Sequence, residues 1–380
     1  MSTAGRDTAS PPAASDVAGQ LREAGFVRLV AAATGDAVAA TGTLARALDD
    51  DGTPFQATVA GPFADPDRDT EADLTVAVGR ADPVADVAVC GPDPTSVTAF
   101  EVARELGDTP DPTLALAGAI AAGERSGMVA EAAEQAGIER RPGVAVPVAD
   151  LADGLAHSTL IRAPYSGDAD GARDALSERD IPATHDTLAA IDEETGRRLA
   201  SLVALDVTGS DDATPRAASA VERALRPYVG GPFGTVGGYA DVLDAVARER
   251  PGTAVALALG HDAVRDGALD AWRTHARQAH AAVRESTTGR YDGLFVARGD
   301  AMPVETVARL VAEFRSPEPV TLVVTDGEAA ARATDERDLA DVAHSVADAV
   351  GGQAATVGDG VRLRFDVDTA DLIMAFREAL

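Results

Sequence analysis

The chain contains no lysine, so all 33 of its basic residues are arginine. They are outnumbered by 62 acidic residues, which gives a formal net charge of −29 over 380 residues. Molar salt shortens the Debye length to roughly 3 Å, so like charges stop repelling at a distance. The acidic excess is therefore typical of a soluble protein from a salt-loving organism, and it indicates more about the solvent than about a partner. In low salt, we expect self-repulsion to destabilise the fold.

Cysteine, aromatic residues and long apolar runs are also scarce. A lone Cys90 excludes an internal disulfide and a cysteine-rich metal site. Aromatic residues make up 4% of the chain and hydrophobic residues 46%, so the cores must be built from Ala, Val and Leu. We find no apolar run of about 18 residues and no signal-type apolar segment after Met1. We therefore expect a cytoplasmic protein without a membrane partner.

The first part of the chain alternates between strand and helix patterns. The clearest example runs from Val27 to Leu48 and predicts a buried strand, a sharp turn and an amphipathic helix. Strands separated by crossover helices form a mostly parallel sheet covered on both faces, so we predict an α/β fold with a doubly wound sheet. The pattern predicts strands over 26–33, 55–59, 73–78, 86–90 and 255–259, and helices over 37–48, 95–106 and 113–122.

A second, smaller α/β pattern occupies the end of the chain. The region 125–245 before it is helical, with Pro and Gly breaks, and a long helix over 268–285 is suited to linking two domains. The sequence therefore predicts a smaller C-terminal α/β domain beyond this helix. Its predicted elements are strands over 294–297, 320–324 and 361–367, and helices over 304–314 and 338–350.

Several local sequences occur in a familiar order. They are TGDA at 34–37, GLAHST at 154–159, TVGGYADVLDAV at 235–246 and GRYDGLFVARG at 289–299. In this order the chain resembles the DHH phosphoesterase superfamily, and specifically the archaeal, haloarchaeal-type RecJ-like exonucleases, over about residues 20–380. The resemblance implies four parts: a disordered tail over 1–16, a DHH-like domain with its helical connector over 17–265, a linker helix over 266–288, and a DHH-associated domain over 289–380.

The chain departs from that family at its metal-binding positions. Active members hold two Mn²⁺ or Mg²⁺ ions with several Asp and His side chains, because two close cations need that many ligands. At the corresponding positions this chain carries Thr34, Val78 or Gly79, Cys90-Gly91-Pro92 and Ala121-Ala122-Gly123. Asp36 alone keeps a carboxylate there, and one carboxylate cannot hold two ions. The resemblance therefore implies a degenerate member without a resident cofactor.

Asp36 and the histidines have structural alternatives. Asp36 is a remnant metal ligand or the N-cap of the helix over 37–48, where its carboxylate would accept backbone N–H groups. His157 lies within GLAHST and either packs in the core or lines a cleft between the domains. Gly351 and Gly352 are what is left of the family's glycine-rich GGGH element, and they are candidates for contact with nucleic acid.

The linker helix carries a basic stripe. Arg273, Arg277, His280 and Arg284 follow helical spacing and fall on one face. Rows of arginine contact phosphates, so we hypothesise that the stripe lines the cleft between the domains and binds single-stranded nucleic acid. The alternative is a solvated face whose arginines pair with the abundant acids.

Two functions follow from the resemblance. Inactive relatives act as scaffolds at the replication fork, so the preferred function is a non-enzymatic protein of DNA replication or repair that binds single-stranded nucleic acid or the GINS and MCM proteins. The alternative is a metal-dependent exonuclease on single-stranded DNA or RNA, or a small phosphoesterase, with displaced ligands. That alternative would use Mn²⁺ or Mg²⁺ at Asp36 together with Asp82, Asp86 or Asp93, which lie near the missing signature.

Overall fold

The computed structural model describes residues 12–64, 71–125 and 127–380. The first helix, α1, covers Ala14–Glu23. It therefore begins inside the segment 1–16 that the sequence predicts as a tail, and residues 1–11 of that segment lie outside the described residues. Val17 and Leu21 on α1 are buried, because this helix packs against the first sheet.

The N-terminal domain is built on a parallel four-stranded sheet with the strand order β2-β1-β3-β4. The strands β1 and β3 are buried along nearly their whole length, as the apolar run of a central parallel strand predicts. The strands are β1 (Val27–Ala32), β2 (Phe55–Ala60), β3 (Leu74–Val78) and β4 (Val87–Val89), and the helices are α2 (Gly35–Asp51), α3 (Thr95–Leu106) and α4 (Pro112–Ala121).

A helical region follows the first sheet. Its helices are α5 (Met128–Gln135), α6 (Leu151–His157), α7 (Ala169–Ser177), α8 (Glu193–Thr208), α9 (Pro215–Ala224), α10 (Val236–Glu249) and α11 (Pro251–Ala258), and two short strands, β5 (Glu139–Arg140) and β6 (Tyr228–Val229), pair antiparallel within it.

The strand predicted over 255–259 is wrong, because this segment belongs to α11. A short apolar run has no period that separates a buried strand from a buried helix. Pro251 is at the first helical position, where its missing N–H costs nothing and its fixed φ favours the helix. The helix packs against α2 and α10 behind the sheet.

The C-terminal domain contains a six-stranded mixed sheet with the order β11-β12-β10-β9-β8-β7. The pair β8–β9 is parallel and the other pairs are antiparallel. The helix α13 packs on β9 and β10, and α14 packs on β11 and β12. The elements are β7 (Thr287–Tyr291), β8 (Leu294–Arg298), α13 (Val304–Phe314), β9 (Val320–Val324), β10 (Glu328–Ala333), α14 (Ala340–Val350), β11 (Gln353–Val357), β12 (Gly360–Arg364) and α15 (Thr369–Ala379).

The long helix α12 (Arg265–Glu285) joins the two domains through buried contacts. Trp272 at its centre is fully buried and packs in the core that α10 shares. His275 is also buried, and its ring nitrogens lie 2.9 Å from the Glu249 carboxylate on α10 and 2.8 Å from the Thr306 hydroxyl on α13. The helix therefore fixes the C-terminal domain against α10.

No helix in the described ranges is long and apolar enough to cross a bilayer.

Candidate functional site

A cavity of about 770 Å³ opens between the two domains. One wall consists of the residues that follow β1, β3, β4 and α4, and the facing wall consists of α13 and the turn over 356–361 between β11 and β12 in the C-terminal domain. The helix α10 also lines the cavity and packs against α2 and α4. The carboxyl ends of parallel strands meet at this edge, which is where open α/β sheets bind ligands. The volume is in the range of small-molecule sites. This cavity, here called the cleft, is the candidate functional site.

The family's metal-binding positions converge on the cleft. Each of the four loops that the resemblance singles out contributes to its lining. The lining residues from these loops are Thr34 and Asp36, Gly79, Cys90-Gly91-Pro92 and Ala121-Ala122-Gly123. These positions are thus brought together in space although they are spread over about a quarter of the chain. Around the single carboxylate they present hydroxyl, thiol, methyl and backbone groups.

The Asp36 carboxylate accepts hydrogen bonds from a neighbouring helix. Its two oxygens accept the backbone N–H groups of Thr95 at 2.7 Å and Ser96 at 2.9 Å, at the positive end of α3. Burial raises the pKa of Asp36 against the opposing effect of these hydrogen bonds. The N-cap of α2 is Thr34, whose hydroxyl accepts the Ala37 N–H at 3.3 Å. The prediction that Asp36 caps its own helix is therefore wrong about which helix it caps.

The other predicted acids do not assemble around Asp36. Asp86 precedes β4 and accepts the Thr75 N–H at 2.8 Å, and Asp82 accepts the Val84 N–H at 3.0 Å. Neither lines the cleft, whereas Asp93 lines it and is exposed. Over the described ranges, no group of three or more His, Cys, Asp or Glu side chains is arranged to hold a metal ion.

Two acids on α10 also line the cleft and were missed by the sequence analysis. Asp241 is 3% exposed and accepts hydrogen bonds from the Thr159 backbone N–H at 3.0 Å and from the Trp272 indole N–H at 2.8 Å. Burial raises its pKa. Asp241 and Asp244 are three residues apart in the segment TVGGYADVLDAV, which places both on one helix face. This spacing was the signal that could have found them.

Asp244 begins a chain of largely buried ion pairs that crosses between the domains. It accepts the Gly35 N–H at 3.0 Å and pairs with Arg248 at 2.6 Å. Arg248 pairs with Glu305 on α13 at 2.7 Å, and Glu305 pairs with Arg362 on β12 at 2.6 Å. Burial alone would raise the pKa values of Asp244 and Glu305. The Arg248 guanidinium, together with the Gly35 N–H at Asp244 and Arg362 at Glu305, holds both pKa values below their usual ranges.

The basic stripe of α12 lies outside the cleft, so its predicted location is wrong. Arg273 pairs with Asp153 on α6 at 2.8 Å, and Arg277 and Arg284 are exposed. His280 is 1% exposed, and burial lowers its pKa to about 4. The stripe is therefore broken at His280, because that side of α12 packs against other helices. Binding of nucleic acid by its exposed arginines stays a prediction.

His157 and the glycine pair also lie away from the cleft lining. His157 is buried, with its Nδ1 atom 2.8 Å from the Asp153 carboxylate. Gly351 ends α14 with a φ of 70°, a left-handed value that favours glycine, and the Gly352 N–H closes the same turn. The segment of this domain that reaches the cleft is the turn over 356–361.

The fold is similar to solved structures of RecJ and CDC45. RecJ from Thermus thermophilus in complex with Mg²⁺ aligns with 98% of this chain and 54% of its own, so this chain spans about half its length, with a TM-score of 0.53 and 14% identity. An exonuclease RecJ bound to manganese aligns over 97% and 93%, with a TM-score of 0.51 and 15% identity. CDC45 from Entamoeba histolytica aligns over 96% and 97%, with a TM-score of 0.57 and 9% identity. The chain thus has the fold of these RecJ and CDC45 structures.

Sequence comparison identifies the family to which the chain belongs. A family profile described as "Uncharacterized protein rrnAC1427, C-terminal domain" matches residues 286–378. The uncharacterized protein rrnAC1427 of Haloarcula marismortui is 66% identical over 380 residues, which covers 100% of both chains. The chain therefore belongs to the rrnAC1427 family.

Proposed function

We propose that the chain is a catalytically degenerate RecJ-like protein that binds single-stranded nucleic acid or a replication complex as a non-hydrolytic scaffold. One observation carries this proposal: the cleft has its walls in place, but Thr34, Gly79 and Cys90 stand where a two-metal site needs ligands. Two adjacent divalent ions require several carboxylate or imidazole ligands to neutralise and orient them.

Three of the carboxylates that line the cleft are engaged elsewhere. Asp36 accepts two N–H groups of α3, Asp241 accepts the Trp272 indole N–H, and Asp244 pairs with Arg248. Turning any of them towards a metal ion would leave buried donors or a buried cation without a partner, which costs free energy. These contacts make the acids structural members of the cleft walls.

The fold likeness supports a binding role without deciding the partner. It includes an exonuclease, RecJ, and also CDC45, so this architecture is not limited to the proteins described as exonucleases. Among possible partners, the resemblance drawn from the sequence favours the GINS and MCM proteins and single-stranded nucleic acid. A scaffold needs the fold and a surface, and neither requires a metal ion.

The competing function is a metal-dependent exonuclease with displaced ligands, for which the position of Asp93 is the supporting observation. Asp93 is exposed in the loop that follows β4 and faces the cleft together with Asp36. Asp82 and Asp86, the other proposed substitutes, do not line the cleft. This alternative therefore depends on Asp36 and Asp93, which are too few for two ions.

A cleavage assay separates the two functions. Labelled single-stranded DNA and RNA are incubated with the full chain in molar KCl with Mn²⁺, beside an active RecJ as a positive control. We expect no cleavage above background and no change in an Asp93→Ala variant. Cleavage that is lost in both Asp93→Ala and Asp36→Ala would overturn the proposal and establish the exonuclease.

A further inference from the structure

Asp212 lies between two arginines on a surface outside the cleft. Arg162, in the segment after α6, donates through Nη1 and Nη2 to the two Asp212 carboxylate oxygens at 2.9 and 3.0 Å. Arg315, which follows α13, has its Nε atom 3.3 Å from the same carboxylate. Neither arginine pairs with a second carboxylate in the described part of the chain. Two guanidinium groups therefore share one negative charge, and they are close enough together to hold a single anion.

Two further arginines adjoin this pair. Arg315 Nη1 donates to the Val283 carbonyl at 2.6 Å, directly before Arg284 in the last turn of α12. Arg216 on α9 donates to the carbonyl of Ser316, directly after Arg315. The Arg216 and Arg284 guanidinium groups both donate to backbone carbonyls, which carry no formal charge. We call the four residues Arg162, Arg216, Arg284 and Arg315 the arginine corner.

The arginine corner reverses the charge balance of the chain. Acidic residues outnumber arginines by 62 to 33 overall, whereas here four arginines lie around one shared carboxylate. Glu318 is nearby, but Arg290 at 2.5 Å and the Gly293 N–H at 3.1 Å already engage it. Asp211 and Glu285 are exposed neighbours in sequence, and neither forms an ion pair with the corner within the described ranges. The corner therefore keeps positive charge that its own carboxylate does not neutralise.

Solvent reaches the shared carboxylate. Asp212 lies in the segment 209–214 that joins α8 to α9, and its side chain is 36% exposed. The Arg162 and Arg315 side chains are 15% and 23% exposed. Movement of this one side chain on a surface segment would uncover both guanidinium groups. Because salt screens partly buried charges less than exposed ones, the attraction of the pair for an anion persists in molar KCl.

Resting on the proposed binding function, we propose that Arg162 and Arg315 bind a phosphate group, free or carried by a single strand, in the place that the Asp212 carboxylate occupies. The planar fork of Arg162 matches two phosphate oxygens in the way that it matches the two oxygens of Asp212. Asp212 is then an internal competitor that an incoming phosphate displaces. The adjoining Arg284 belongs to the basic stripe of α12, so this site lies at one end of that stripe.

A binding experiment without metal tests the site through two substitutions with opposite effects. The probes are inorganic phosphate and a short labelled thymidine oligonucleotide, titrated into the full chain in molar KCl with EDTA. Arg315→Gln removes a donor of charged hydrogen bonds, so it should weaken binding by about 10- to 100-fold. Asp212→Asn removes the competing charge and leaves the site open, so it should strengthen binding by about 3- to 10-fold.

The exposed pair Arg197–Glu193 on α8 is the matched control. Its atoms lie 3.0 Å apart, and there one arginine meets one carboxylate. Arg197→Gln and Glu193→Gln change the net charge of the chain by the same amounts as the two test substitutions. Both should leave the affinity for either probe unchanged.

Thermal unfolding supplies a second readout that a purely structural ion pair would not give. A ligand stabilises only the form that binds it. Inorganic phosphate should therefore raise the Tm of Asp212→Asn by more than that of the unaltered chain, and should not raise the Tm of Arg315→Gln. If Asp212 only fixes the segment 209–214, phosphate will have the same effect on all three proteins.

The outcomes separate this site from the proposed function. Opposite shifts with both probes support a site for any phosphate group, and opposite shifts with the oligonucleotide alone support a strand site. Equal affinities in all variants, or no binding of either probe, would overturn the site, while the absence of cleavage still supported the scaffold. Cleavage that requires Mn²⁺ would overturn the proposed function, and opposite shifts in EDTA would still support the site.

Discussion

The two walls of the cleft differ in what holds their side chains in place. The wall at the sheet edge has the tight turn at Gly79 and the capped start of α3, and its carboxylates are Asp36, Asp93 and Glu124. The charges between α10 and the facing wall pair with one another in the chain from Asp244 through Arg248 to Glu305. The difference indicates that a helix cap holds one wall of the cleft in place and that ion pairs hold the other.

Removing an ion pair from the facing wall should have the largest effect on stability. Glu305 pairs with both Arg248 and Arg362, and its side chain is 12% exposed. Removing one partner of a buried ion pair costs about 3–5 kcal/mol, because the other charge stays buried without compensation. We expect Glu305→Ala to lose about this much unfolding free energy in molar KCl, measured by denaturant titration. The control Glu193→Gln, from an exposed pair on α8, should unfold like the unaltered chain. Equal stability of all three proteins would show that the walls are joined in another way.

Acid should weaken the contact between α12 and its neighbours through His280. Its Nε2 atom lies 3.0 Å from the Ser158 carbonyl oxygen, and its buried Nδ1 atom has no partner among the described residues, so the neutral ring fits the site. The folded-state pKa of about 4 lies below the ordinary value of 6.5, so this contribution is complete above pH 6.5 and is lost as the pH falls towards 4.

The expected loss over this interval is about 3 kcal/mol. It is obtained by comparing the unfolding free energy of the unaltered chain and of His280→Gln at each pH. The glutamine keeps a donor for the Ser158 carbonyl and does not titrate. Parallel pH profiles for the two proteins would contradict the burial of a neutral histidine.

Removing the Asp36 cap on the wall at the sheet edge should have a smaller effect on stability. Asp36→Ala removes the acceptor for two N–H groups of α3, and loss of a helix cap costs about 1–2 kcal/mol. Asp36→Asn keeps one acceptor oxygen and should recover part of the loss in the same denaturant titration. Stability that is unchanged in Asp36→Ala would mean that the carboxylate is free to serve as a ligand.

The smallest expected effect comes from the outer face of α12. Arg277 is exposed and donates to the Thr274 hydroxyl at 3.3 Å, so Arg277→Gln should change stability by less than about 0.5 kcal/mol. Its influence on the affinity for a labelled thymidine oligonucleotide in molar KCl tests the stripe as a binding surface. Weaker binding by Arg277→Gln would show that the strand lies along the stripe predicted from the sequence.

The sequence predicted the main α/β pattern and the loops of the cleft because these depend on local signals. The helices α3 and α13 have the predicted bounds, since their apolar spacing and flanking residues are explicit. The strand β10 was missed because EAAARA has the composition of a helix, and it is a strand through pairing with β9 and β12 on both sides. Strand formation there is decided by tertiary contacts that no local window contains.

The position of the site could be predicted from the sequence, but the hydrogen bonds and ion pairs of its side chains could not. Asp36 was identified from its turn, but its partners Thr95 and Ser96 are 59 and 60 residues away. The pair Arg248–Glu305 likewise joins residues 57 positions apart.

The most direct test of the central claim is a calorimetric titration of the full chain with Mn²⁺ in molar KCl. The account predicts no saturable heat, and the same baseline for the unaltered chain and Asp36→Asn, because Asp36, Asp241 and Asp244 are engaged by the protein. The exposed Asp93 and Glu124 are too few to hold two ions. Saturable binding of two ions that is lost in Asp36→Asn would contradict it, since the cleft would then be a working metal site.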